Sequence, residues 1–103
     1  MTLPILVAVL LSAHAPTQAP DGKAIFETNC QRCHGPTGKP SAPMKKLIPE
    51  LPTWDEAFFA ARPDSAVIAV ITNGKGEKMK AWKDTLKPDE SAAVAKYIRT
   101  LKP

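Results

Sequence analysis

The sequence predicts an all-α domain of three to four helices joined by two long loops. Three observations predict it. Apolar residues recur at helical spacing in four short segments, each with capping residues at an end. No stretch alternates apolar and polar residues as a half-buried strand does. Proline and glycine gather between the segments, where they punctuate the chain.

The first helix runs from Asp21 to Cys33, with Asp21 as N-cap and Ala24, Ile25 and Phe26 as its apolar patch. Gly35 to Pro52 reads as a loop, because Pro36, Pro40, Pro43, Pro49 and Pro52 lie within it and proline interrupts regular elements. Thr53-Trp54-Asp55-Glu56 has capping-box spacing and opens a short helix that must end before Pro63. Asp64 caps the next helix. Val67, Ile68 and Ile71 give it an apolar side, and Asn73-Gly74 a C-terminal stop. Gly74 to Lys87 is the second loop. Pro88 with Asp89 and Glu90 opens the last helix, since proline suits the first turn and acidic side chains its positive end. Val94, Tyr97, Ile98 and Leu101 follow on one face.

The chain has 103 residues, which limits it to one domain and excludes a multidomain enzyme. Its start shortens the folded part further. No Lys, Arg, Asp or Glu precedes Asp21, and Leu3 to Leu11 is apolar apart from Pro4. That run is far below the ~20 residues of a membrane-spanning helix and fits the apolar region of a signal peptide. Ala13-His14-Ala15 and Thr17-Gln18-Ala19 both fit the small-x-small cleavage rule. The expected division is a signal peptide over 1–19 and one domain over 20–103, with an uncleaved N-terminal tether as the alternative. The mature part then keeps the whole formal charge of +4 in 84 residues (103 − 19). So small a core, with aromatics at 6%, calls for a further source of cohesion. Two cysteines cannot build a disulfide-rich scaffold.

Those two cysteines form the one motif that carries chemistry. Cys30-Gln31-Arg32-Cys33-His34 is C-x-x-C-H, the attachment signature of a c-type haem. Residues three apart at a helix end share one side, so both thiols reach the haem vinyl groups and form thioethers. His34, next in sequence, becomes the proximal iron ligand. Three other readings exist. A Cys30–Cys33 disulfide of the thioredoxin kind needs a βαβ context that the sequence lacks. Zinc needs further ligands, and the other histidine, His14, lies in the export segment. Free buried thiols are the third.

A distal ligand has three candidates, Met1, Met44 and Met79. Met1 belongs to the export segment. Met44 suits gap-filling packing. Met79 lies in Gly74-Lys75-Gly76-Glu77-Lys78-Met79-Lys80-Ala81-Trp82, a polar loop where a thioether has no obvious core role. It follows His34 by 45 residues (79 − 34), enough chain to pass around a haem. Met79 is the expected ligand.

With these residues in place, the chain over about 21–103 resembles the class I cytochromes c, particularly the short bacterial ones. The resemblance rests on Cys30-x-x-Cys33-His34, on the loop with Met79 and Ala81-Trp82, and on the final helix through Ala95-Lys96-Tyr97-Ile98. It implies a small cytochrome c fold wrapped around one covalent haem c. It also implies a close crossing of first and last helices, with Gly22 at the approach and Phe26 against Tyr97. Pro43 resembles the loop proline whose carbonyl accepts the proximal histidine's N–H, and Trp82, just after the Met79 loop, is expected among the cofactor-binding residues. Two departures stand out: Lys80 follows Met79 where the family usually has proline, and the run after the haem motif is Gly38-Lys39-Pro40-Ser41-Ala42-Pro43.

The expected function is monohaem electron transfer, without enzymatic activity, in the periplasm or another exported location. His/Met ligation leaves no open iron position and favours the ferrous state. The rival readings are a gas-binding or sensing haem domain with a labile distal ligand, and a haem subunit of a larger oxidase or dehydrogenase. Lys75, Lys78, Lys80 and Lys83 crowd the Met79 loop against only Glu77 and Asp84, so an acidic docking surface is expected on the redox partner. Nucleic acid is not an expected partner. A membrane enters only through the N-terminal segment or a membrane-bound partner.

Overall fold

The computed structural model describes residues 1–9 and 19–103. The candidate cleavage motifs over 13–15 and 17–19 fall on or across residues outside that set. Residues 1–9 are exposed and carry no helix. Among the described residues, no helix is long and apolar enough to cross a membrane.

Six helical segments form the rest: α1 (Gly22–Asn29), α2 (Gln31–His34), α3 (Ala42–Leu47), α4 (Glu56–Ala60), α5 (Asp64–Asn73) and α6 (Pro88–Ile98). The described residues contain no strand, only an isolated bridge between Lys75 and Met79. The all-α expectation holds, with more and shorter segments than three to four.

Each departure has a local cause. The expected helix over 21–33 breaks at Cys30, whose φ of −116° ends α1, and α2 resumes one residue later. Asp21 caps α1 as expected, accepting from Ala24 N–H at 3.2 Å. The expected loop over 35–52 contains α3, in spite of its prolines. Pro43 sits in the first turn, where its missing N–H has no intrahelical partner to lose. Ser41 caps that helix by accepting from Met44 N–H at 3.3 Å, and Pro49 follows just beyond its end. Asp55 caps α4 in place of Thr53, accepting from Phe58 N–H at 2.8 Å. Pro63 takes the N-cap position of α5 and Asp64 becomes its first residue. α6 begins as expected, and Glu90 reaches back to accept the Lys87 N–H at 3.0 Å.

The core is built on α6, which packs against both α1 and α5. Phe26, Val94, Ala95 and Ile98 are buried there with Val67 and Ile71 of α5, joined by Trp54 and Leu86. Burying a side chain such as Phe26 contributes about 1.5–3 kcal/mol, so these residues dominate cohesion. The crossing of α1 and α6 is close at Gly22. A Cβ there would strike the Ala93 carbonyl oxygen and lie 3.0 Å from Tyr97 Cβ.

The last carbonyls of α5 are used to pin the loop that follows. Gly74 N–H donates to Val70 O at 2.8 Å, Trp82 N–H to Ile71 O at 3.0 Å and Lys83 N–H to Thr72 O at 3.2 Å. Acceptors that a helix end leaves open are thereby satisfied by the loop itself. This is how a segment rich in lysine and glycine acquires a fixed path.

Candidate cofactor site

The α1–α2 break gathers three of the expected site residues into one turn. Cys30 ends α1, its N–H donating to Phe26 O at 2.9 Å, and its own carbonyl accepts from Cys33 N–H at 3.3 Å and His34 N–H at 3.1 Å. Cys30, Cys33 and His34 are all half-buried, and both thiols are free. Gly35 then reverses the chain with φ +80°, in the left-handed region that favours glycine. A Cβ at Gly35 would run into the Lys39 carbonyl oxygen, so the turn also depends on its small size.

Burial sets the protonation of this turn. It pushes the Cys30 thiol up to about 11, with the neighbouring Cys33 adding to the rise. It pulls the His34 imidazole down to about 4, well below the usual histidine range. Both effects are desolvation disfavouring charge. At neutral pH the turn therefore presents a neutral thiol at Cys30 and a neutral imidazole. Neutral imidazole is the form that ligates a metal.

The two imidazole nitrogens differ. Nδ1 of His34 is buried and finds no hydrogen-bond partner among the described residues, which leaves Nε2 as the other ring nitrogen. The ring faces are also occupied on one side: Trp54 stacks on His34 with centroids 4.3 Å apart and planes within 20°. These features fit a haem bound through Cys30 and Cys33 with Nε2 of His34 toward iron.

The remaining expected residues stand on other segments of the chain. Met79 is half-buried in the second loop, and its carbonyl accepts from Lys75 N–H at 2.8 Å. Gly74 packs beneath it with φ +77°, where a Cβ would lie 2.6 Å from the Met79 carbonyl oxygen. Trp82 packs against the core cluster, as does Cys30, and Lys80 Nζ lies 4.1 Å from the Trp82 ring centroid. Met44 belongs to α3, where its carbonyl accepts from Ile48 N–H at 2.8 Å. Pro43 departs from expectation. It is exposed in the first turn of α3, and His34 Nδ1 receives no partner, so the hydrogen bond expected of the Pro43 carbonyl is not made. The cause is the unexpected α3, which commits this part of the loop to a helix.

Sequence reasoning missed Trp54 as a site residue. Read along the chain, it stands only inside a helix-start pattern. Its contact with His34 arises because Trp54 N–H donates to Gly38 O at 3.0 Å, folding the later segment back on the haem-motif turn. No spacing in the sequence signals that contact.

A helical domain with a C-x-x-C-H turn and a pinned methionine loop defines a small c-type cytochrome. The profile of the family described as cytochrome c oxidase, cbb3-type, subunit III, matches residues 17–98, and the chain belongs to this family. The cbb3-type cytochrome c oxidase subunit FixP of Azorhizobium caulinodans is 33% identical to it, over 88% of this chain and 31% of that protein. The chain thus spans about a third of that relative's length. Cytochrome c6 of Chlorolobion braunii is 35% identical, over 75% of this chain and 83% of its own. Among solved structures, the KustC0563 c-type cytochrome superposes with a TM-score of 0.72 at 28% identity, over 81% of this chain and 99% of that one.

Proposed function

We propose that this protein is a monohaem electron carrier, exported before haem attachment, with iron ligated by His34 and Met79. One observation carries the reading. A single half-buried turn offers two thiols and a neutral imidazole. Each thiol would add its S–H across one vinyl double bond of a bound haem, giving a thioether with nothing released. The haem, when bound, supplies a one-electron Fe(II)/Fe(III) couple.

The chain's own residues do the rest. The Cys30–His34 turn fixes the attachment point and brings the proximal ligand to the adjacent position. The pinned 74–83 loop offers the Met79 thioether, a soft ligand that raises the potential of the couple. With His34 and Met79 both held to it, a bound haem would keep no ligand place for a substrate or gas, and no enzymatic role is proposed. Pro43 has no part in this assignment, and Trp82 serves as a core-packed neighbour of the methionine loop.

Exposed Lys75, Lys78, Lys80 and Lys83 around Met79 are proposed to meet an acidic surface on the redox partner. Complementary charge mainly speeds the encounter. A second reading, a haem unit acting within a larger oxidase, is supported by the FixP relative, of which this chain covers 31%.

Carbon monoxide tests the six-coordinate assignment against a gas-binding one. The ferrous protein should keep its Soret band unchanged under carbon monoxide at neutral pH. A shifted band in the wild type would mean an open or labile distal position.

A further inference from the structure

An imidazole bound to iron through Nε2 keeps one freedom, rotation of its plane about the metal–nitrogen axis. A hydrogen bond from Nδ1–H to a carbonyl or carboxylate usually removes it. In this protein His34 Nδ1 is buried and no described residue accepts from it. A contact on the ring face can hold the ring as well.

The face of the imidazole is held by Trp54, at 4.3 Å between centroids and 20° between planes. Trp54 is itself fixed from several directions. It is only 7% exposed. Its N–H is bonded to the Gly38 carbonyl at 3.0 Å. Its ring edge lies against Gly38, where a Cβ would come within 2.9 Å of Cε3, and φ +85° there again favours glycine. Phe26 and Phe59 pack on it at centroid distances of 6.1 Å and 6.4 Å, both tilted. Phe26 is in turn fully buried against Tyr97 of α6. The stack therefore ties the His34 ring to the α1–α6 crossing.

We infer that Trp54 is a positioning residue for the haem iron: its stack on His34 sets the plane of the proximal imidazole. The inference rests on the His34/Met79 reading above. The orientation of an axial imidazole plane governs how unpaired spin is spread over the haem in the ferric state. Trp54 thereby influences the electronic character of the iron without touching it.

The test uses the complete haem-loaded protein and proton NMR. In the ferrous wild type, a Met79 methyl signal shifted far upfield reports thioether ligation. Nuclear Overhauser contacts between Trp54 and His34 ring protons report the stack. In the ferric state, the order and spread of the four haem methyl signals report the imidazole plane. Trp54→Leu should alter that order and shift the midpoint potential, while Trp54→Phe, which keeps an aromatic face, should restore most of the wild-type pattern. A Trp54→Leu protein with the wild-type methyl order and potential, but a lower melting temperature, would reduce Trp54 to a packing residue and overturn the inference. If Trp54→Leu fails to hold its haem, the wild-type contacts decide: their absence overturns the inference. Loss of the upfield methyl signal in the wild type itself would instead overturn the ligation reading.

Discussion

The rings of Phe26 and Tyr97 meet at 5.4 Å between centroids and 51° between planes, where α1 crosses α6. Phe26 is fully buried, and the crossing is close because Gly22 has no side chain to strike Ala93. Phe26→Ala is expected to cost about 3–5 kcal/mol, the usual range for a buried aromatic truncated to alanine. Gly22→Val should cost roughly 1–3 kcal/mol by forcing the helices apart. Denaturant midpoints of the haem-loaded variants check both.

Covalent attachment predicts a specific change in mass. The exported protein should exceed its polypeptide mass by one haem, and acid–organic extraction should leave the colour on the protein. Cys30→Ala combined with Cys33→Ala should lose both properties. Because so small a domain relies on its cofactor, the doubly substituted chain should also lose most of its far-ultraviolet helix signal.

The methionine loop is expected to be sensitive at a residue that touches no cofactor. Gly74 combines φ +77° with a Cβ position 2.6 Å from the Met79 carbonyl. Gly74→Ala should displace the Met79 backbone and weaken thioether ligation, seen as easier replacement of the methionine by added imidazole. Gly76 also has positive φ, but a Cβ there meets nothing within 4 Å. Gly76→Ala should disturb the ligand much less.

The sequence makes legible whatever is encoded by neighbours along the chain. The haem-motif turn is one example, because Cys30, Cys33 and His34 are joined by backbone bonds between adjacent residues. The start of α6 is another, since proline and two acidic residues act within one turn. The Gly22 approach to α6 is long-range, and only the family resemblance implies it. The five prolines over 36–52 mask α3, because Pro43 stands in a first helical turn, where proline is tolerated. The Trp54–His34 stack was illegible for a different reason. It depends on the backbone bond from Trp54 to Gly38, across sixteen residues (54 − 38) of irregular chain, and no periodicity reports such a closure.

Charge around the loop predicts the salt dependence of electron transfer. Lys78 and Lys80 are exposed beside Met79. The second-order rate with the natural partner should fall steeply as salt rises, since screening acts over ~10 Å at 0.1 M. Lys78→Glu with Lys80→Glu should slow transfer at low salt and leave the ligation spectrum intact. A rate indifferent to both changes would place docking elsewhere.

The central claim is that a thioether from the second loop completes the iron's coordination opposite His34. The most direct measurement is the weak sulfur-to-iron absorption band at the red end of the ferric spectrum, compared among the wild type, Met79→Ala and Met44→Leu. The band should be present in the wild type and in Met44→Leu, and absent from Met79→Ala together with a lowered midpoint potential. A band that survives in Met79→Ala, or disappears in Met44→Leu, would contradict the assignment.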